Sequence, residues 1–362
     1  MGDWNQQLWS LGLMSGTSLD GIDAALIRCD GERVMDCGAF ATFPYDEDFR
    51  DALRGILGPS APASAVAPVE RDLTLRAAEA VAALLARAEL PADRVGLIGF
   101  HGHTVWHDPD AGVTRQIGDG ALLAARTAID VVSDFRSRDV ATGGEGAPLA
   151  PLYHWALAAD LEKPLAVLNL GGVGNVTWIG EKDLLAFDTG PGNALLDDWV
   201  QAATGQPLDR DGALGRAGRV DEKALSALLD DPYFERPPPK SLDRDAFDPT
   251  PVAGLSAADG AATLTAFTAA SVAGAVTHFP VPPKRWLVTG GGRHNPAIME
   301  SLRTRLPAPV EPVETVGWNG DALEAQAFAY LAVRARLGLP LSLPGTTGVR
   351  EPTSGGVLHT AA

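Results

Sequence analysis

A chain of 362 residues, 46% of them hydrophobic and 21% charged, is long enough for two hydrophobic cores, and its formal net charge of -17 argues against holding DNA or an anionic membrane through the general field. Asp, Arg, Gly or Pro interrupts every apolar run before the ~20 residues of a bilayer span, and the opening Met-Gly-Asp-Trp-Asn-Gln-Gln carries no basic leader. A cytoplasmic protein without nucleic-acid or membrane partners is expected. Residues 8–14 read as a buried strand, followed by a Ser/Gly/Asp turn, a strand over 22–28, an Asp30-Gly31 turn and a third strand over 33–43, an antiparallel meander. Cys29 and Cys37 flank that last turn at unequal distances, so a simple hairpin does not oppose them and both are expected to be reduced thiols. Helical spacing over 70–90 leads into short apolar strands at 95–100 and 129–132.

The order strand, glycine turn, strand, strand returns at 165–187, with Gly171, Gly172 and Gly174 in the turn. Such a repeat is what a duplicated two-lobed architecture leaves behind. A helix over 192–204 precedes an excursion rich in turn formers, for which Tyr233, Phe234 and Phe247 supply anchors. A small-residue helix at 261–278, a strand at 286–289, a glycine turn at 290–292 and helices at 295–305 and 321–337 complete an α/β pattern. The sequence divides into a first lobe of 1–132 with 338–362 and a second of 133–337.

Three glycine turns thus follow apolar strands, and glycine lets backbone amides converge on phosphate oxygens. Each could equally be a tight turn and nothing more. The first adds hydroxyls at Ser15, Thr17 and Ser18 and carboxylates at Asp20 and Asp23; it is neither a P-loop nor a Rossmann fingerprint, because no Gly-Lys-Ser/Thr and no helix follow. Carboxylates beside phosphate suggest an intervening hydrated magnesium, with capping of local amides as the alternative. Asp188, in Phe187-Asp188-Thr189-Gly190-Pro191-Gly192-Asn193, emerges from a buried strand into a glycine-rich mouth, which suits a general base or a strand-end cap. His101, His103 and His107 lack a cysteine and a regular helical spacing, so hydrogen bonding to a polar substrate, shared with Thr104, is preferred to zinc. Asp134 and Arg136 follow another apolar strand and offer an acceptor and a donor, at a cleft edge or on a solvated loop.

These residues also carry a resemblance. Leu13-Met14-Ser15-Gly16-Thr17-Ser18-Leu19-Asp20-Gly21-Ile22-Asp23, Ser133-Asp134-Phe135-Arg136, Asn169-Leu170-Gly171-Gly172, the Asp188 segment, Pro237-Pro238-Pro239-Lys240-Ser241 and Gly290-Gly291-Gly292 are similar to the motifs of the anhydro-N-acetylmuramic acid kinases, in order and over nearly the whole chain. The resemblance implies the actin, Hsp70 and sugar kinase fold, a duplicated ribonuclease H-like architecture with ATP between two lobes. It implies ATP contacts from Gly16, Thr17, Ser18, Leu19, Asp20, Gly21, Ile22 and Asp23, from Gly171 and Gly172, and from Gly290, Gly291 and Gly292. Asp188 is implied as the catalytic base, with His101, His103, Thr104, Asp134 and Arg136 on the sugar and water-mediated Mg2+ at Asp20 and Asp23; Glu324, on the late helix, is a further candidate for the metal's water shell, although an exposed helix face explains it equally well. The family's His-Gly-Gln-Thr pattern stands here as His101-Gly102-His103-Thr104, an imidazole in place of an amide.

The activity so implied is an ATP-dependent phosphotransferase of cell-wall recycling. It opens a 1,6-anhydro amino sugar with water and phosphorylates O6, as a monomer or a homodimer. A kinase for an ordinary amino sugar on the same fold, and an actin-like ATPase without a sugar substrate, are the alternatives. Each would keep the nucleotide turns, and the choice of phosphate acceptor separates them.

Overall fold

The computed structural model describes residues 8–16 and 18–361. In chain order its strands are β1 (Trp9–Ser15), β2 (Gly21–Cys29), β3 (Val34–Pro44), β4 (Val95–Asp108), β5 (Val113–Ile117), β6 (Val131–Ser133), β7 (Leu165–Leu170), β8 (Val173–Ile179), β9 (Leu184–Pro191), β10 (Trp286–Thr289), β11 (Val310–Pro312) and β12 (Val357–His359). The helices used below are α1 (Ala63–Arg87), α2 (Ala194–Thr204), α3 (Ala257–Ala275), α4 (Pro296–Arg305) and α5 (Leu323–Arg336). The chain forms two compact units, one running through Asp160 and resuming at Ala322, the other Leu161–Asp321.

The first unit's sheet runs β3-β2-β1-β4-β6-β12, with β5 on β4. Strands β1, β2 and β3 are an antiparallel meander, while β4 is parallel to β1 and β6 parallel to β4. The second unit's sheet runs β9-β8-β7-β10-β11, again a meander of three with two parallel strands on the far side of the first. The same order and polarity occur twice, so the duplicated ribonuclease H-like fold is present in each half. Cys29 pairs with Val34 and Cys37 with Ile27 across the β2–β3 hairpin, and both thiols are free.

In the first unit α5 lies on β1, β2 and β4. A Cβ at Gly12 would stand 1.8 Å from the Ala325 carbonyl oxygen, and one at Gly99 2.1 Å from that of Phe328, so helix backbone rests on strand backbone. Ser10 Oγ adds a hydrogen bond to the Ala329 carbonyl oxygen at 3.0 Å. Residues 133–160 and 322–337, expected with the second lobe, belong to the first unit, the latter through this seat. The helix is also less amphipathic than its spacing suggests: from Ala325 to Arg334 every side chain is buried.

The second core gathers Phe187, Trp286 and Phe267 between its sheet and α3. Helix α3, continued to His278, is long and apolar enough by composition to cross a bilayer, but it is mostly buried inside its own unit, the usual place for a helix apolar all round. The expected anchors hold the excursion: Phe234 and Phe247 stack at 5.5 Å, and both meet Phe267 of α3 edge-on. Strand β4 runs past the expected 100 to Asp108, because Gly102 at φ 71 lets the chain turn and pair with β5.

Gly12→Ala should lower the unfolding free energy by about 3 kcal/mol, the upper range for overpacking, since carbonyl oxygen and not a pliable side chain blocks the methyl. Gly274→Ala, in α3 with nothing within 4 Å, should be neutral or stabilising by up to about 1 kcal/mol. Urea midpoints of the two variants test this; equal midpoints would mean that α5 shifts freely on the sheet.

Candidate active site

Strand β1 ends at Ser15, whose Oγ accepts the Tyr45 hydroxyl proton at 2.7 Å and lies 3.0 Å from His103 Nδ1. Burial pushes the Tyr45 phenol up, so it stays a donor. Ser15 Oγ thus joins Tyr45 to the His103 ring, whose other nitrogen, Nε2, has no hydrogen-bond partner among the described residues. Burial pushes the His103 pKa down to about 4, and the ring is neutral at pH 7. The turn itself closes through Leu19 N–H to the Gly16 carbonyl oxygen at 3.2 Å, with Leu19 at φ 58. That left-handed residue costs about 1–2 kcal/mol, offset by burial of its side chain at ~2 kcal/mol. Thr17 lies outside the described residues. Asp20 is exposed and accepts from Ser18 Oγ at 2.8 Å; Asp23 accepts from Thr42 Oγ1 at 2.5 Å.

The same unit holds a cavity of about 320 Å3, lined by His101, Gln116, Ser133, Asp134 and Ser137 among others. His101 lies with Nδ1 2.9 Å from the Gly102 carbonyl oxygen and accepts Arg136 Nε–H on Nε2 at 3.1 Å. Burial, reinforced by the Arg136 charge, holds it well below the usual imidazole range. Arg136 donates onward to the Gly146 carbonyl oxygen at 2.6 Å. Asp134, at φ 54, accepts from Ser137 Oγ at 2.5 Å. The structure thus brings His101 and Asp134 to the cavity wall, with Arg136 bracing His101. His103, fully buried, and Thr104, which accepts from Gln116 Nε2 at 3.3 Å, are not among its lining residues. Gln116 went unnoticed in the sequence because β5 did; a Thr-Arg-Gln alternation beside a glycine was the available signal.

In the second unit Asp188 sits on β9 opposite Asn175 and is 7% exposed. Its Oδ2 accepts from Leu242 N–H at 2.8 Å, its own N–H donates to the Lys240 carbonyl oxygen at 3.0 Å, and its carbonyl oxygen accepts the Tyr233 hydroxyl at 2.5 Å. Lys240 Nζ in turn donates to the Tyr233 carbonyl oxygen at 3.0 Å, and burial, with Arg236 nearby, pushes its pKa down to about 8. The segment 233–242 therefore clasps Asp188, with the Leu242 amide on its carboxylate and Tyr233 and Lys240 on its backbone, a role that sequence reasoning did not assign to Lys240 or Leu242.

The glycines named for ATP fall into two groups. At Gly16, Gly171, Gly172 and Gly291 a Cβ would meet nothing nearer than 3.5 Å, and none of the four has positive φ. At Gly21 it would strike the Phe43 carbonyl oxygen at 2.4 Å, at Gly290 (φ 76) Asn169 Oδ1 at 2.4 Å, and at Gly292 Leu170 Cβ at 2.6 Å. The second group is explained by packing inside the protein; the first is not. The Gly171 and Gly172 carbonyls accept from Gly192, Asn193 and Ala194, so this turn's acceptors are used within the unit. Around Gly290, Arg293 donates to the Gly290 carbonyl oxygen and pairs with Glu314 and Asp321 at 2.9 Å. Glu324 is exposed in the first turn of α5.

Comparison with known sequences decides the family. The sequence model of anhydro-N-acetylmuramic acid kinase matches residues 8–361. The chain belongs to the anhydro-N-acetylmuramic acid kinase family. It is 59% identical over 360 residues to the anhydro-N-acetylmuramic acid kinase of Rhodospirillum rubrum, covering 98% of this chain and 95% of that one. To the protein of the same name from Paramagnetospirillum magneticum it is 60% identical over 354 residues, covering 97% and 99%. Among solved structures, component A of the (R)-2-hydroxyglutaryl-CoA dehydratase of Acidaminococcus fermentans is similar at 13% identity and a TM-score of 0.49, over 90% of this chain and 98% of that one. As a member of the anhydro-N-acetylmuramic acid kinase family the chain is a kinase, a phosphotransferase that uses ATP.

Two outcomes follow from this geometry. Since the folded pKa of His103 lies below its ordinary 6.5, the unfolded chain takes the proton first, and stability is complete above about pH 6.5 and declines as pH falls toward 4. His103→Gln should therefore lose about 2 kcal/mol less than the wild type between pH 7.5 and 5; parallel urea curves at the two pH values check it, and identical losses would exclude a neutral buried ring. In a thermal melt Gly171→Ala should match the wild type within about 0.5 kcal/mol, whereas Gly290→Ala, at positive φ and against Asn169, should lose about 1–3 kcal/mol.

Proposed function

We propose that this kinase opens 1,6-anhydro-N-acetylmuramic acid with water and phosphorylates the freed O6, giving N-acetylmuramic acid 6-phosphate and ADP. The observation that carries the reading is Asp188: a carboxylate within strand β9, nearly buried, with Oδ2 fixed by the Leu242 amide and its backbone clasped by Tyr233 and Lys240. A base fixed in this way loses little orientational freedom when it takes a proton.

Asp188 accepts a proton from a water whose oxygen attacks C1 of the sugar. The C1–O6 bond breaks on the opposite face, through an oxocarbenium-like centre, as in inverting glycoside hydrolysis. O6 leaves as the nucleophile toward the γ-phosphorus of ATP, and the bond to the β-phosphate oxygen breaks to release ADP. The charge that develops on O6 passes to the phosphoryl group, so no separate acid is required. The sugar takes hydrogen bonds from the cavity of the first unit, with His101 and Asp134 in its wall, and the ATP phosphates take backbone amides from the Gly16–Asp23 and Gly171–Gly172 turns. His103 holds Ser15, which opens the first of these turns.

The oxygen-only donors Asp20 and Asp23 fit a hard, hydrated cation, and they would hold Mg2+ through its water shell. When bound, the ion supplies positive charge to the phosphate oxygens. The cytoplasm, where ATP is found, is the place of action.

Asp188→Asn should retain ATP binding and lower turnover by ~10²-fold or more, the usual scale for a lost general base. The assay is phosphorylation of the anhydro sugar with the product mass recorded: a gain of one water and one phosphoryl group is expected. Near-normal turnover in the variant removes Asp188 from the role, and preference for N-acetylmuramic acid without water uptake would make the chain an ordinary amino-sugar kinase.

A further inference from the structure

Beside the Gly171–Gly172 turn stands a cation that the mechanism above leaves unused. The Cγ of Arg244 lies 3.9 Å from the place a Cβ would occupy at Gly172. Its Nη2 is 2.7 Å from Asp198 Oδ1 and its Nη1 2.9 Å from Asp245 Oδ1. All three side chains are exposed, the acids at 51% and 84%. Pairs of this kind hold weakly and exchange readily. Arg293 shows the contrast within the same unit: 3% exposed and tied to Glu314 and Asp321, it is a fixture of the fold.

The surroundings make a loosely held cation useful there. Asp197 and Asp198 on α2, with Asp245, put carboxyls near this arginine, and burial together with the Asp198 charge pushes the Asp197 pKa up to about 7. Such a cluster would repel a triphosphate brought to the turn unless a guanidinium stood between. Arginine's planar fork also suits phosphate oxygens, which carry more charge than one carboxylate and accept two parallel N–H bonds.

We propose that Arg244 leaves Asp198 and Asp245 to bind the terminal phosphates of ATP at the Gly171–Gly172 turn, and that it neutralises charge on the phosphoryl group during transfer. The inference rests on the reading that ATP lies at that turn, and it makes Arg244 a substrate-contacting residue whose resting partners are its two acidic neighbours. Asp198 then competes with the nucleotide for the same donors.

The test measures kinetics with the anhydro sugar and calorimetric binding of a non-hydrolysable ATP analogue, for Arg244→Ala, Arg244→Lys, Asp198→Asn and Gly172→Val. Arg244→Ala should lower kcat/KM for ATP by ~10²-fold, with the sugar KM within about twofold of wild type and Arg244→Lys recovering part of the loss. Asp198→Asn should move the other way, tightening the analogue severalfold. Arg244→Ala with ATP parameters within about twofold of wild type overturns the proposal, as does an Asp198→Asn variant that weakens the analogue as Arg244→Ala does, the mark of an ion pair that only holds the loop. Gly172→Val separates the two levels: unchanged analogue affinity there sinks the placement of ATP itself, whereas a loss with Gly172→Val and none with Arg244→Ala sinks only the role of the arginine.

Discussion

Helix α5 lies on the first unit's sheet with no side chain between the two backbones at Gly12 and Gly99, where any Cβ would overlap a helix carbonyl. Much of the unit's order hangs on that contact. It fixes the height of the helix over β1 and β4, and both strands lead into functional segments: β1 into the Ser15–Asp23 turn, β4 into His101 and His103. The hydrogen bonds of Ser15 to Tyr45 and His103 then tie those two strands together a few residues beyond the seat. Packing distance and site geometry are thus set by the same pair of strands.

A chain with a net charge of -17 that handles a triphosphate must do so by local means. The glycine turns offer amides without charge, and the glycines that internal packing leaves unexplained, at 16, 171, 172 and 291, are those with open space where a side chain would stand. Cations are placed sparingly around the sites. Arg136 braces His101, Arg293 is locked to two carboxylates, Lys240 is buried against Tyr233, and Arg244 sits loosely among acids. The difference in burial between Arg293 and Arg244 separates a structural guanidinium from one able to change partners.

Much of this was legible in the sequence because the strong signals are local. The apolar strands followed by glycine turns, the repeat of that order at 165–187 and the carboxylate at 188 all stand in short stretches, and the structure has each strand in place. What sequence could not give was long-range. The unit boundary at Ala322 depends on where α5 comes to rest, and no property of its own residues says so. Strand β5 is five residues with one buried position, too weakly patterned to stand out, and Gln116 was lost with it. The glycine list also could not be sorted from sequence, because Gly290 and Gly171 look alike until one asks what surrounds each. The same is true of His103, whose neighbour Ser15 is 88 positions away.

The first unit is interrupted: Leu161–Asp321 is inserted between strands β1–β6 of its sheet and the helix that seats on them. During synthesis the inserted unit is complete before residues 322 onward leave the ribosome, so its core closes while β1 and β4 still show bare glycine surface. The amino-terminal half therefore finishes last despite being made first. Shielding of that uncovered sheet during the interval is a demand the topology places on the cell, and a chain stalled after Asp321 would be one folded globule trailing an open, adhesive one.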